Sequence, residues 1–188
     1  IFRRKILMKK KSKTYLTIFF LLFISVLLGF VLKFLIQRFQ KVPPLAQGVS
    51  LIIEQAVGPR VRLLALGDTG TGNKQQLEVA KAMESYCKKN APLDGILLLG
   101  DNFYMHGVES TEDPQWQQKI ERPYSTSPCL KKLPIFAVLG NHDYRGSKIA
   151  QFNYHKKNAR WHMPHRFYRV NFGSLINLIA FDSNFTDY

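Results

Sequence analysis

Three short runs of residues that can bind metal ions each follow a compact apolar stretch of the chain. They are GD at residues 67–68, GDNFY at residues 100–104 and GNHD at residues 140–143. A strand that stops at a glycine places the next polar side chain at the rim of a sheet, where open α/β sheets bind their ligands. Carboxylates, a phenol, an amide oxygen and an imidazole are therefore expected at one edge. This set suits hard metal ions and hydrolytic chemistry.

Each run also has an ordinary structural explanation when it is considered alone. A Gly-Asp pair after a strand is most often a tight turn, and Asp143 could simply cap a helix. His142 alone is more often a surface or hydrogen-bonded histidine, and Tyr104 alone is an ordinary aromatic residue. Because oxygen ligands recur at three successive strand ends, a shared site is the favoured interpretation.

The elements that must position these runs are predicted from hydrophobic periodicity. Strands are expected over residues 61–66, 95–99, 134–139, 167–172 and 175–181, and helices over residues 74–89, 114–122 and 147–158. Strands that alternate with helices predict a layered α/β domain.

The net charge of +14 is concentrated in the amino-terminal segment. Residues 1–41 contain ten lysines and arginines and no acidic residue, whereas residues 42–188 contain 17 basic and 13 acidic residues. Nucleic-acid binding requires a basic face on the folded domain, and the remainder of the chain carries little excess charge. We therefore expect no nucleic-acid partner.

The amino-terminal segment has the pattern of a membrane anchor. A basic leader at residues 1–13 precedes an apolar stretch at residues 14–36, which at about 1.5 Å per residue nearly spans a ~30 Å hydrocarbon layer. The preceding positive charge favours a cytoplasmic leader and an exported domain in the periplasm, a lumen or the extracellular space. The alternative is secretion after cleavage of a signal peptide, for which we find no good site before Pro43. Residues 37–60 are predicted to form a linker.

Cys87 and Cys129 are the two cysteines of the chain. An exported domain would allow them to form a disulfide, but the sequence leaves a disulfide and two unpaired thiols equally open. Neither cysteine lies beside the three runs, which argues against a nucleophilic thiol.

The order and spacing of the three runs resemble the calcineurin-like metallophosphoesterase superfamily. Within it, the tyrosine three residues after Asp101 and the segment at residues 160–169 are similar to the purple acid phosphatase branch, in particular to tartrate-resistant acid phosphatases. The resemblance covers roughly residues 61–188. It implies that this segment is the amino-terminal part of a layered α/β/β/α metallophosphoesterase sandwich.

The resemblance implies a dinuclear metal centre and a role for each residue. Asp68 and Tyr104 would bind the first metal, Asp101 would bridge both metals, and Asn141 would bind the second. A phenolate favours a trivalent ion, so Fe(III) is expected first, with Fe(II), Zn or Mn at the second position. His142 is expected to be the general acid or to donate to a phosphoryl oxygen.

The reaction implied by this centre is hydrolysis of phosphate monoesters by a hydroxide that the metal pair activates. Asp143 is expected to orient His142, and His106 is either a substrate contact or a solvated loop residue. One alternative is a phosphodiesterase or nucleotide hydrolase of the same superfamily. Another is a non-catalytic, membrane-tethered domain with a partial metal site; the oligomeric state is left open.

The superfamily pattern also contains three histidines that have no counterpart after Asp182 in this sequence. One belongs to a Val-x-x-His-type motif and two belong to Gly-His-x-His. We therefore expect the chain to be the amino-terminal part of a longer protein. On its own it is expected to bind metal weakly and to be inactive.

Overall fold

The computed structural model describes residues 18–33, 35–36 and 50–184, and the chain divides into two units, Ile1–Gln40 and Lys41–Tyr188. In the first unit, residues 18–33 form helix α1, and residues 35 and 36 are helical as well. No helix in the described ranges is both long and apolar enough to span a membrane. The predicted anchor at residues 14–36 lies partly outside these ranges and stays a prediction.

The second unit has the α/β organisation that the sequence predicts, and one of its sheets is parallel. Its strands are β1 (Ile52–Gln55), β2 (Leu63–Leu66), β3 (Gly95–Leu98), β4 (Ile135–Ala137), β5 (Trp161–His162), β6 (Phe167–Phe172) and β7 (Ile176–Phe181). Its helices are α2 (Lys74–Asn90), a π-helical turn (Gln117–Glu121) that continues into α3 (Arg122–Tyr124), and α4 (Lys148–Asn153), which continues into a 3₁₀ turn (Tyr154–Lys156).

The sheet that carries the three runs is parallel and has the order β2-β3-β4-β5. Leu64 of β2 aligns with Ile96 of β3, which in turn aligns with Ile135 of β4. Both Ile96 and Ile135 are fully buried, as expected for strands of a parallel sheet covered on its faces. Because β2, β3 and β4 are adjacent and parallel, the loops that follow them emerge at the same edge.

The second sheet has the order β1-β6-β7, with β1 parallel to β6 and β6 antiparallel to β7. Gly173, at φ 52°, lies in the turn of the β6–β7 hairpin, where a left-handed backbone favours glycine. The prediction that residues 37–60 form a linker is wrong for β1. Four residues are too few for a clear periodicity, and the strand is stabilised by pairing with β6, far away in the sequence.

The two sheets pack against each other through aromatic side chains. The ring of Phe136 in β4 meets the ring of Phe172 in β6 edge-on, with centroids 5.5 Å apart. Tyr168 of β6 donates its hydroxyl hydrogen to the Ala137 carbonyl at 2.8 Å. Such edge-on aromatic pairs add to the stability that burial alone provides, so these contacts join the sheet with the three runs to the second sheet.

Helix α2 is fixed at both ends. At its start, the Asn73 side chain caps the helix by accepting a hydrogen bond from Gln76 N at 3.0 Å. Near its end, Cys87 forms a disulfide with Cys129, with the two Cα atoms 6.1 Å apart. The structure thus resolves the alternative that the sequence leaves open.

A buried carboxylate lies one turn before this disulfide. Glu84 accepts hydrogen bonds from Cys129 N at 3.2 Å and from Leu130 N at 3.0 Å. Burial alone would raise the pKa of Glu84, but these two bonds and the neighbouring Lys88 lower it overall. The carboxylate and the disulfide therefore tether the same loop to α2.

Replacing both cysteines by serine is expected to lower the free energy of unfolding of the oxidised chain by about 3–4 kcal/mol, because the cross-link closes a loop of 42 residues in the unfolded state. Urea unfolding monitored by circular dichroism measures the difference. Wild type under reducing conditions should behave like the double serine variant. Equal stability of the oxidised wild type and the variant would show that the cross-link does not contribute.

Candidate metal centre

Both aspartates that follow β2 and β3 have a left-handed backbone. Their φ angles are 57° for Asp68 and 52° for Asp101. Aspartate tolerates this region better than most residues, but the conformation still costs free energy, and such residues cluster at functional sites. The same unusual backbone therefore recurs at two neighbouring strand ends.

The structure brings Asp68, Asp101 and Tyr104 together. Tyr104 Oη donates to Asp68 Oδ1 at 2.7 Å, and the Asp101 carboxylate lies close enough to the phenol to raise its pKa. The backbones of the two loops are joined as well, because Asp68 N donates to Gly100 O at 3.1 Å and Gly70 N donates to Asp101 O at 3.2 Å. The first and second runs thus form one cluster.

The third run is adjacent to this cluster. His142 N donates to Asp101 Oδ1 at 2.9 Å, and the rings of His142 and Tyr104 have centroids 4.4 Å apart. A Cβ atom at Gly140 would lie 2.2 Å from Asp101 Oδ1, so only glycine permits this approach. Asn141 lies between Gly140 and His142 in the sequence, and it is exposed. All four predicted metal ligands are therefore on loops that contact one another.

The buried side chain of Asp143 connects the loop after β3 with the loop after β4. Its side chain is fully buried; Oδ2 accepts from Gly140 N at 2.8 Å and Asn102 N at 3.0 Å, and Oδ1 accepts from Gln151 Nε2 at 3.1 Å. Burial raises the pKa of Asp143 to about 7, although these hydrogen bonds act to lower it. The carboxylate thus holds together the backbone of two loops that carry predicted ligands.

The prediction that Asp143 orients His142 is wrong for the imidazole ring. Nδ1 of His142 lies 2.9 Å from the carbonyl oxygen of Met105. Because a carbonyl oxygen only accepts hydrogen bonds, Nδ1 carries a proton in this contact. The other ring nitrogen, Nε2, is left for an external partner. Asp143 acts on the backbone around His142 instead.

The donor set fits a hard cation. No ion pair of Asp68 or Asp101 with a lysine or arginine occurs within residues 50–184, so their charges are not offset by a side-chain cation. Burial, the hydrogen bond to Asp68 and the negative charge of Asp101 together raise the pKa of Tyr104. A bound cation would reverse this effect and favour the phenolate.

The carboxylates of the cluster are those of Asp68 and Asp101. Among the described residues, no group of three or more His, Cys, Asp or Glu side chains lies close enough to hold a metal ion. The fit therefore depends on combining Asp68 and Asp101 with the phenol of Tyr104. His106 is exposed on the loop after Tyr104, and its role as a substrate contact stays a prediction.

Sequence reasoning missed the buried polar residues that hold the loops. Gln151 is completely buried, and Gln76 and Lys119 are 4% and 6% exposed. Each lies in or beside a helix, three or four residues from a buried apolar residue, and this spacing is the available signal. Burial of a polar group is unfavourable unless it is hydrogen bonded, so such positions indicate specific partners.

Comparison with known proteins identifies the relatives of the chain. Residues 61–186 match the family model for calcineurin-like phosphoesterase. Tartrate-resistant acid phosphatase type 5 of Sus scrofa is 34% identical over 143 residues, which cover 73% of this chain and 42% of that protein. The Homo sapiens protein of the same name is 35% identical over 136 residues, covering 69% of this chain and 39% of that protein.

Two further similarities extend this set. Purple acid phosphatase 3 of Arabidopsis thaliana is 42% identical over 94 residues, covering 50% of this chain and 25% of that protein. A solved structure described as "GAP50 the anchor in the inner membrane complex of Plasmodium" matches with a TM-score of 0.50 and 29% identity, covering 63% of this chain and 39% of that chain. The chain spans less than half the length of each of these relatives.

Replacing Asp143 by asparagine is expected to lower the free energy of unfolding by about 1–3 kcal/mol at pH 8, because an amide retains one accepting oxygen and leaves buried donors unpaired. Amide hydrogen exchange at Gly140 and Asn102 should become faster. The control is Glu78→Gln on the exposed face of α2, which should change stability by at most about 0.5 kcal/mol. Unchanged stability and exchange in the Asp143 variant would contradict this role.

Proposed function

The chain belongs to the calcineurin-like phosphoesterase family, and we propose that the whole protein is an acid phosphatase that hydrolyses phosphate monoesters. The observation that carries the proposal is the contact of Asp68, Asp101 and Tyr104 at neighbouring strand ends, with His142 beside them. The relatives named tartrate-resistant and purple acid phosphatases support this reaction. In the complete protein, the two sheets would be the inner layers of an α/β/β/α sandwich.

The residues of the cluster are assigned to a dinuclear centre. Asp68 and Tyr104 would hold the first metal, Asp101 would bridge, and Asn141 would hold the second. A phenol between two carboxylates is a hard, anionic donor set that suits Fe(III), while Fe(II), Zn or Mn suits the second position. When bound, such a pair supplies Lewis acidity, which activates water and offsets negative charge on the phosphoryl group.

His142 is assigned as the proton donor to the leaving group. The Met105 carbonyl accepts from Nδ1, and the ring lies beside that of Tyr104. These two contacts fix the ring, and in its doubly protonated form Nε2 also carries a proton, which it would give to the leaving oxygen or share in a hydrogen bond with a phosphoryl oxygen. Proton transfer by a positioned side chain contributes about 10²–10⁴-fold to the rate.

The location proposed for this activity is outside the cytoplasm, tethered by residues 14–36. The basic segment before the apolar stretch supports this orientation. The disulfide between Cys87 and Cys129 also supports it, because disulfides persist in oxidising compartments.

A second candidate is a membrane-tethered domain that binds a partner and does not catalyse. It is favoured by the similarity to the solved protein described as an anchor in an inner membrane complex.

A third candidate, hydrolysis of phosphodiesters or nucleotides, shares the same metal ligands. Assays of the complete protein with 4-nitrophenyl phosphate, bis(4-nitrophenyl) phosphate and ATP separate the three, since the non-catalytic domain hydrolyses none of them.

Replacing His142 by alanine should lower kcat for glycerol phosphate by about 10²–10³-fold, because the poor alkoxide leaving group needs a proton. The loss for 4-nitrophenyl phosphate should be much smaller, since 4-nitrophenolate leaves without one. Steady-state kinetics of the complete protein measure both losses. The control is His155→Ala, which replaces an exposed histidine. Equal losses for the two substrates would rule out His142 as the proton donor.

Replacing Tyr104 by phenylalanine should abolish the visible charge-transfer absorption that an Fe(III)–phenolate pair gives, because the variant has no phenolate oxygen. Absorption spectra and iron content of the complete protein test this assignment. Tyr86→Phe, which changes an exposed tyrosine of α2, is the control and should keep the band. An active wild-type protein that is colourless and free of iron would contradict it.

A further inference from the structure

A buried lysine contacts the backbone of the loop that carries Tyr104. Lys119 belongs to the π-helical turn Gln117–Glu121 and is only 6% exposed. Its Nζ donates to the backbone carbonyl of Tyr104 and, at 2.5 Å, to Gln115 Oε1. Burial of an ammonium group is costly unless it is hydrogen bonded. These two acceptors therefore determine where the lysine head group lies.

The backbone of Tyr104 is held from both sides. Its N–H donates to Gly70 O at 2.7 Å, and its carbonyl accepts from Lys119. Its phenol reaches Asp68 Oδ1 from this fixed backbone. A shift of the Tyr104 carbonyl would therefore move the phenol relative to Asp68 and Asp101.

Lys119 also contacts the loop that follows Asp68. Its carbonyl oxygen accepts from Gln76 Nε2 at 2.7 Å, and Gln76 Oε1 accepts from Gly72 N at 2.6 Å. A Cβ atom at Gly72 would lie 3.2 Å from Lys119 Cγ, so the lysine stem packs against this glycine. One residue thus supports the loops of both Asp68 and Tyr104.

We propose that Lys119 is a positioning residue for the metal centre, which sets the placement of the Tyr104 phenol against the carboxylates of Asp68 and Asp101. The inference rests on the proposed function. Lys119 acts through the Tyr104 carbonyl and through the loop after Asp68, and it contacts neither the substrate nor the metal. Loss of the hydrogen bond from Lys119 to the Tyr104 carbonyl should therefore weaken the binding of the first metal.

The test compares Lys119→Met with wild type in the complete, metal-loaded protein. Methionine keeps an unbranched apolar side chain and removes the donor. Chelator competition should show about 10–100-fold weaker retention of iron, as is typical when a partner of a metal ligand is lost, and the visible band should shift or weaken. Lys81→Met, at an exposed position of α2, is the matched control and should match wild type. Retention within twofold of wild type and an unchanged band would overturn the inference.

A double-mutant cycle with Tyr104→Phe separates positioning from a general structural effect. If Lys119 acts through the phenol, Lys119→Met should cause little further loss of iron in the Tyr104→Phe background. If the loss of iron affinity in the double variant equals the product of the losses in the two single variants, the lysine acts independently of the phenol, and this result would overturn the proposal. If Lys119→Met does not fold, as judged by circular dichroism, Lys119→Arg replaces it, because arginine keeps the charge but its larger planar head changes the geometry; it should also weaken iron retention.

The two levels of the proposal fail in different ways. A wild-type protein that retains no metal and hydrolyses no phosphate ester would overturn the proposed function, and this inference with it. A wild-type protein that retains iron and is active, together with a Lys119→Met variant of equal metal affinity and spectrum, would overturn only the role of Lys119.

Discussion

The buried carboxylate of Asp143 is the interaction on which the arrangement of the candidate site depends. It accepts hydrogen bonds from the backbone of Gly140 and of Asn102, which belong to loops after two different strands. Parallel strands alone bring loops to the same edge of a sheet, but they do not set the distance between those loops. Because Asp143 lies where water cannot replace its partners, loss of one of these bonds leaves a buried group unpaired. This constraint keeps Asp101 and Asn141 in neighbouring loops.

Around that constraint, the site combines strained backbone with unfavourable electrostatics, and a bound cation would offset the electrostatic part. Two aspartates adopt left-handed backbone conformations, and their charges face a phenol whose pKa is raised by burial and by the same carboxylates. Packing of the two sheets and the network of buried amides hold this arrangement in place. A cation would compensate the two charges and favour the ionised phenol. The unfavourable proximity of two carboxylates and a buried phenol is thus what a metal-binding role would explain.

Much of the fold could be predicted from the sequence because its signals are local. The apolar runs before Asp68, Asp101 and Asn141 identified three strands, and the periodicity between residues 74 and 89 identified α2. Features that depend on distant partners could not be predicted in this way. Strand β1 exists through pairing with β6, and the contact of His142 with Met105 depends on the path of a loop. The burial of Lys119 could not be predicted either, because its acceptor at Tyr104 is supplied by the tertiary structure.

We propose that one pair of cations binds Asp68, Asp101, Tyr104 and Asn141. Anomalous X-ray diffraction from crystals of the complete protein, recorded at the iron edge and away from it, tests this claim most directly. Two metal positions about 3.5–4 Å apart are expected, with Asp101 bound to both, Asp68 and Tyr104 bound to one, and Asn141 bound to the other. Metal peaks elsewhere, or a single peak that does not contact Asp101, would contradict the assignment.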